Sequence, residues 1–160
     1  MRYLWNLPQS LPALIFLAIF ALQSSTPALA QTPGGGSAAT VFLNFYNATQ
    51  AVIKNPAQEY VANASPDFPR PAKAQQAWAD FMANHGNSLS SQEKMQYVEC
   101  VPHLGNAMSD AERGYRVKIS QPSAQAQADA QGLMDQAQQE FNQPQCKQAY
   151  AFASAQVKQH

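Results

Sequence analysis

Four stretches of this chain repeat one spacing, and that spacing restricts it to helices. Phe42, Phe45, Tyr46, Thr49 and Ile53 fall at i, i+3, i+4, i+7 and i+11. Ala74, Ala77, Trp78, Phe81 and Met82 follow the same rule, as do Ala126, Ala130, Leu133, Met134, Ala137 and Phe141. Cys146, Ala149, Tyr150, Ala153 and Val157 repeat it near the C-terminus. Residues at these intervals lie on one face of a helix, so each stretch has an apolar stripe to bury. The alternating AQAQADA run mimics a strand, but Ala and Gln are strong helix formers and poor strand formers. RVKIS, Arg116–Ser120, is the one segment with strand character, and a lone strand has nothing to pair with. The chain therefore reads as all-α, a single compact bundle of about five antiparallel helices.

Punctuation supplies the boundaries. Ser37 suits the N-cap of the first helix, and Asn55-Pro56 ends or kinks it, with a short helical turn, AQEYVA, to follow. NASPDFPRP, from Asn63 to Pro71, reads as a loop with Phe68 tucked beneath it. Gly86 is placed to cap the helix that begins at Lys73 and closes at His85. Ser90-x-x-Glu93 is a capping box that opens the next helix, with Met95, Val98 and Val101 predicted on its inner face. Pro102 is expected to kink or end that helix. Gly105 and Gly114 argue against a continuous element from there to Ile119.

The N-terminus predicts export. Arg2 precedes an apolar run from Leu11 to Leu22, and the segment closes in Ala28-Leu29-Ala30. A positive start, a short apolar core and a small-x-small exit make a secretory signal peptide. A run of about 12 residues is too short to cross a bilayer as a helix, which takes roughly 20. Residues 1–30 are thus read as a cleaved signal peptide, 31–37 (QTPGGGS) as a flexible leader and 38–160 as the helical domain. The protein is expected to be secreted or periplasmic, with no stable membrane insertion after cleavage.

In an oxidising compartment the chain's two cysteines, Cys100 and Cys146, are expected to pair. Closing that loop stabilises a fold by roughly 4 kcal/mol in the chain-entropy estimate. His103 follows Cys100 by three residues, but a zinc site needs three or four ligands and no second close pair exists. No C-x-x-C, G-x-S-x-G, H-E-x-x-H, phosphate loop or dinucleotide fingerprint occurs, so no metal site and no catalytic residues are assigned. Lys and Arg balance Asp and Glu at ten each, which leaves no electrostatic footprint for nucleic acid. Arg113, Arg116 and Lys118 stand beside Asp110 and Glu112 and read as a solvated surface.

Nineteen glutamines follow Ala30, so the helix surfaces rest on neutral amides, which also allows self-association. The leading expectation is an exported, non-catalytic helical domain that acts by binding a protein partner. An alternative is a carrier for haem or a lipid-like molecule. His103 or Tyr97 would then supply an axial ligand beside Met95 and Met108, with Val98 and Leu104 around them. A small secreted hydrolase is the third class, and it would need polar groups that converge only in space.

Overall fold

The computed structural model describes residues 37–62 and 70–159. The expected signal peptide, the leader up to residue 36, the position of Phe68 and the terminal His160 lie outside the described residues. Within them the chain forms six α-helices and no strand. These are α1 (Ala38–Lys54), α2 (Pro56–Ala62), α3 (Arg70–His85), α4 (Ser91–Ser120), α5 (Ala124–Phe141) and α6 (Pro144–Lys158). No helix among the described residues is long and apolar enough to cross a membrane.

Local chemistry sets most of the helix ends. The Ser37 hydroxyl accepts from the Thr40 amide at 3.3 Å and starts α1. Asn55 ends α1 and caps α2, its Oδ1 accepting from the Gln58 amide at 3.2 Å, with Pro56 in the first turn where no N–H is needed. The capping box is complete: the Glu93 amide donates to Ser90 Oγ at 3.2 Å, and the Ser90 amide donates to Glu93 Oε2 at 2.9 Å. Glutamine finds regular use on the helix surfaces. Gln76, Gln125 and Gln131 each donate to an aspartate one turn on, Asp80, Asp129 and Asp135, at 2.8 Å.

Three expectations about boundaries need correction. α3 starts at Arg70, earlier than Lys73, because Pro71 is tolerated in a first turn. Gly86 does not cap α3 in a left-handed conformation. The chain tightens into a 3-10 turn, Gly86–Ser88, and Ser88 Oγ donates to the His85 carbonyl at 2.7 Å. The third correction is the largest. α4 runs unbroken for 30 residues through Pro102, Gly105, Gly114 and the RVKIS segment.

Pro102 removes one hydrogen bond, to the Val98 carbonyl, but both residues are exposed and water can reach that group. What holds the helix together is its buried stripe: Tyr97, Cys100, Leu104, Ala107, Met108, Ala111 and Gly114. Met95 and Val98 are not on that face. They are 55% and 52% exposed, because the stripe runs in phase with the buried Glu93 of the capping box.

Side-chain size along the stripe determines what packs where. Its wide end joins an aromatic cluster. Tyr97 stacks on Phe42 at 4.7 Å and meets Trp78 edge-on at 5.6 Å and Phe152 at 5.9 Å, so α1, α3, α4 and α6 share one core. Tyr46 lies between Phe141 at 4.7 Å and Tyr150 at 4.6 Å and ties α1 to α5 and α6. Cys100 and Cys146 sit in the same core at disulfide distance, with S–S 2.14 Å and Cα–Cα 4.7 Å. The bond fixes α6 across α4. α6 packs on α4 and α1 and not along α5, so α5 and α6 do not form the antiparallel pair their short turn suggests.

The narrow end of the stripe is different. Ala107, Ala111 and Gly114 of α4 face Ala126, Ala130 and Ala137 of α5, and this pair shares the most extensive helix contact in the fold. A Cβ on Gly114 would stand 2.9 Å from the Ala130 carbonyl oxygen and 3.2 Å from Leu133 Cβ. The glycine that argues against a helix is what lets α5 come this close. Gly132, in contrast, has open space around it. Two substitutions of one chemical kind should therefore have opposite signs. Gly114→Ala is expected to destabilise by about 1–3 kcal/mol through forced separation of α4 and α5. Gly132→Ala is expected to stabilise by about 0.5–1 kcal/mol by restricting the unfolded chain. Urea unfolding of both variants checks the pair; equal signs would contradict the close approach.

Candidate functional site

The four residues read as a possible ligand set are not brought to one pocket. Tyr97 is fully buried, and its hydroxyl donates to Gln156 Oε1 at 3.0 Å. Met108 is buried on the same stripe, three turns further along and so about 16 Å away at 1.5 Å per residue. Met95 lies on the outer side of α4. His103 lies on a flank of α4, at the corner where α5 turns into α6.

At that corner the imidazole bridges three helices. His103 Nδ1 is 2.5 Å from Glu140 Oε2 on α5, and His103 Nε2 is 2.7 Å from the Gln145 amide nitrogen on α6. A neutral imidazole satisfies both contacts when Nδ1–H donates to the carboxylate and Nε2 accepts from the amide. Each ring nitrogen is then occupied. The His103 and Glu140 side chains keep 28% and 30% of their exposure, so the joint is partly wet. Its evident work is to hold the α5–α6 turn against α4, beside the disulfide. Among the described residues, no group of three or more His, Cys, Asp or Glu side chains is arranged to hold a metal ion.

A different region of the molecule has the shape of a site. The end of α1, the start of α2, the C-terminal half of α4 and the first half of α5 enclose a cleft of about 530 Å³. Its apolar lining comes from Ile53, Pro56, Ala57, Gly114, Ala130 and Met134. Its polar lining is Lys54, Asn55, Tyr115, Lys118, Gln127 and Gln131. The cleft follows from the packing already described. Small residues draw α5 onto α4, while α1 ends at Asn55 and hands over to the short α2 instead of continuing across the gap. No single segment of sequence carries this signal. Lys118 reads as part of a solvated basic run, and Gly114 as a helix breaker. Only the fold places them on one wall. The neighbouring basic residues do behave as read: Arg113 pairs with Asp110 at 3.4 Å and Arg116 with Glu112 at 3.7 Å.

No protein-family model, curated protein or solved structure matches the chain.

The buried tyrosines have a consequence that can be measured. Burial, with a smaller contribution from the Glu93 carboxylate, raises the Tyr97 phenol well above its ordinary value of 10.0. Tyr46 is raised by burial and then by Tyr150. A phenol that titrates higher in the folded state favours folding below its unfolded value. That contribution is lost as pH rises past the unfolded value, since the unfolded chain releases its proton first. The urea midpoint is therefore expected to fall progressively above about pH 10, and Tyr97→Phe to flatten the fall while lowering stability at neutral pH by about 1 kcal/mol for the lost hydrogen bond. A wild-type midpoint that stays level through that alkaline range would contradict the burial of both phenols.

Proposed function

We propose that the chain is an exported, non-catalytic binding domain, active in the cell envelope or outside the cell, and that the cleft between α1–α2, α4 and α5 is where it binds. The observation that carries this reading is the cleft itself: apolar walls, a polar rim, and a volume within the roughly 300–1,000 Å³ typical of sites for small organic molecules. Export is supported by the N-terminal sequence pattern and by the paired cysteines, which suit an oxidising compartment.

The volume favours a small ligand over a broad protein–protein surface. Exposed apolar side chains do occur, but they are spread along α4 from Met95 to Ile119 and on α6 at Tyr150 and Val157. Among the carrier forms, a ligand in the cleft is better supported than haem held by His103. Both ring nitrogens of that histidine already have partners.

The test is mass spectrometry of protein taken from its native exported location, compared with the variant Ala57→Trp, which fills the cleft from an exposed position. The denatured wild type is expected to weigh Gln31–His160 less two hydrogens, or less a further ammonia if Gln31 has cyclised. Under native conditions it is expected to carry additional mass that the variant lacks. A bare chain under native conditions, or equal adducts on both proteins, would count against the cleft. A Soret band in the same sample would move the ligand to the haem alternative.

A further inference from the structure

We infer that the cleft takes a small amphipathic anion, an aliphatic chain ending in an acid group, with the chain on the apolar wall and the acid group between Lys54 and Lys118. The inference rests on the binding-domain reading and names its ligand class. Its first support is charge. The full chain carries no net charge, yet among the described residues the only charged side chains lining the cleft are these two lysines, contributed by different helices. Neither ammonium group is in an ion pair with a described residue.

The second support is the state of the other donors. Asn55 Nδ2 donates to Gln58 Oε1 at 2.9 Å, within the cap of α2. Gln127 Nε2 donates to the carbonyls of Lys118 and Gln121 at 3.2 and 3.3 Å, where α4 ends. Gln131 Nε2 donates to Asp135. Each of these amides thus spends at least one N–H on holding helix ends and surfaces, and the two lysines are the cationic donors of the rim. The third support is the rest of the lining, where Ile53, Pro56, Ala57, Ala130 and Met134 are apolar and suit a hydrocarbon chain.

Each lysine also stands in the last turn of its helix, where a cation is favourable with no ligand present. A capping role alone would affect stability and leave ligand affinity unchanged, so binding separates the two. The experiment is amide-shift titration of the full mature chain with octanoate and with octanol, at low and high salt, on wild type and on Lys54→Gln/Lys118→Gln. Octanoate is expected to shift amides at 53–57, 114–118 and 127–134, and to bind more tightly than octanol. The double variant is expected to lose about tenfold in octanoate affinity, the scale of two partly exposed charge contacts, and to lose its salt dependence. Equal affinity for octanoate and octanol, or an unchanged double variant, overturns the anion inference and leaves the cleft as a binding site. Failure of both probes to shift the cleft amides overturns the inference and the cleft reading together.

Discussion

One buried stripe on α4 organises the fold. It runs from Tyr97 to Gly114, and every other helix of the described chain touches α4. The stripe narrows along its length. Tyr97, Leu104 and Met108 are bulky and call for several helices around them. Ala107, Ala111 and Gly114 are small and admit one helix at close range. The same 30 residues therefore build two kinds of packing, an aromatic core shared by α1, α3 and α6 and a tight alanine-lined pair with α5. The cleft opens beside that pair, at the end of α1. The disulfide belongs to the first region and fixes α6 on α4, a packing that its connection to α5 would not impose.

Much of this was legible in the residues. α1, α3, α5 and α6 have clean stripes at helical spacing, and the caps at Ser37 and Ser90 and the break at Asn55-Pro56 are local chemistry that a short window reveals. Cysteine pairing is what two thiols behind a signal-peptide-like N-terminal pattern lead one to expect. α4 was harder for identifiable reasons. Pro102 and two glycines weigh against a helix when propensity is summed locally, but burial of one face on several neighbours outweighs the roughly 3 kcal/mol or more that an interior proline costs. Val101 does pack against the core, but Met95 and Val98, apolar at nearly helical spacing from it, do not, because the face that is buried begins at a carboxylate. Glu93 is buried because Ser90 satisfies it, and apolar character alone does not identify such a position.

The candidate site was not legible at all. Its walls come from residues 53–57, 114–118 and 127–134, and no short window of sequence places those three segments together. His103, which sequence proximity to Cys100 made conspicuous, serves instead as a joint between helices. Lys118, one cation in a run of mixed charge, becomes notable only because α4 carries it to the same cleft as Lys54. Function in a small helical domain of this kind depends on where helices stop and how closely they approach, and both are decided by tertiary packing.

Residue-resolved amide hydrogen exchange along α4 tests the central claim most directly, namely that one continuous helix with a buried stripe supports the rest. Amides of Tyr97 and Cys100 before Pro102, and of Leu104, Ala107, Met108 and Ala111 after it, are expected to exchange only through global unfolding, with the same opening free energy on both sides. Two separate protection levels divided at Pro102, with the segment beyond it opening on its own, would show that α4 is two elements and that the account is wrong.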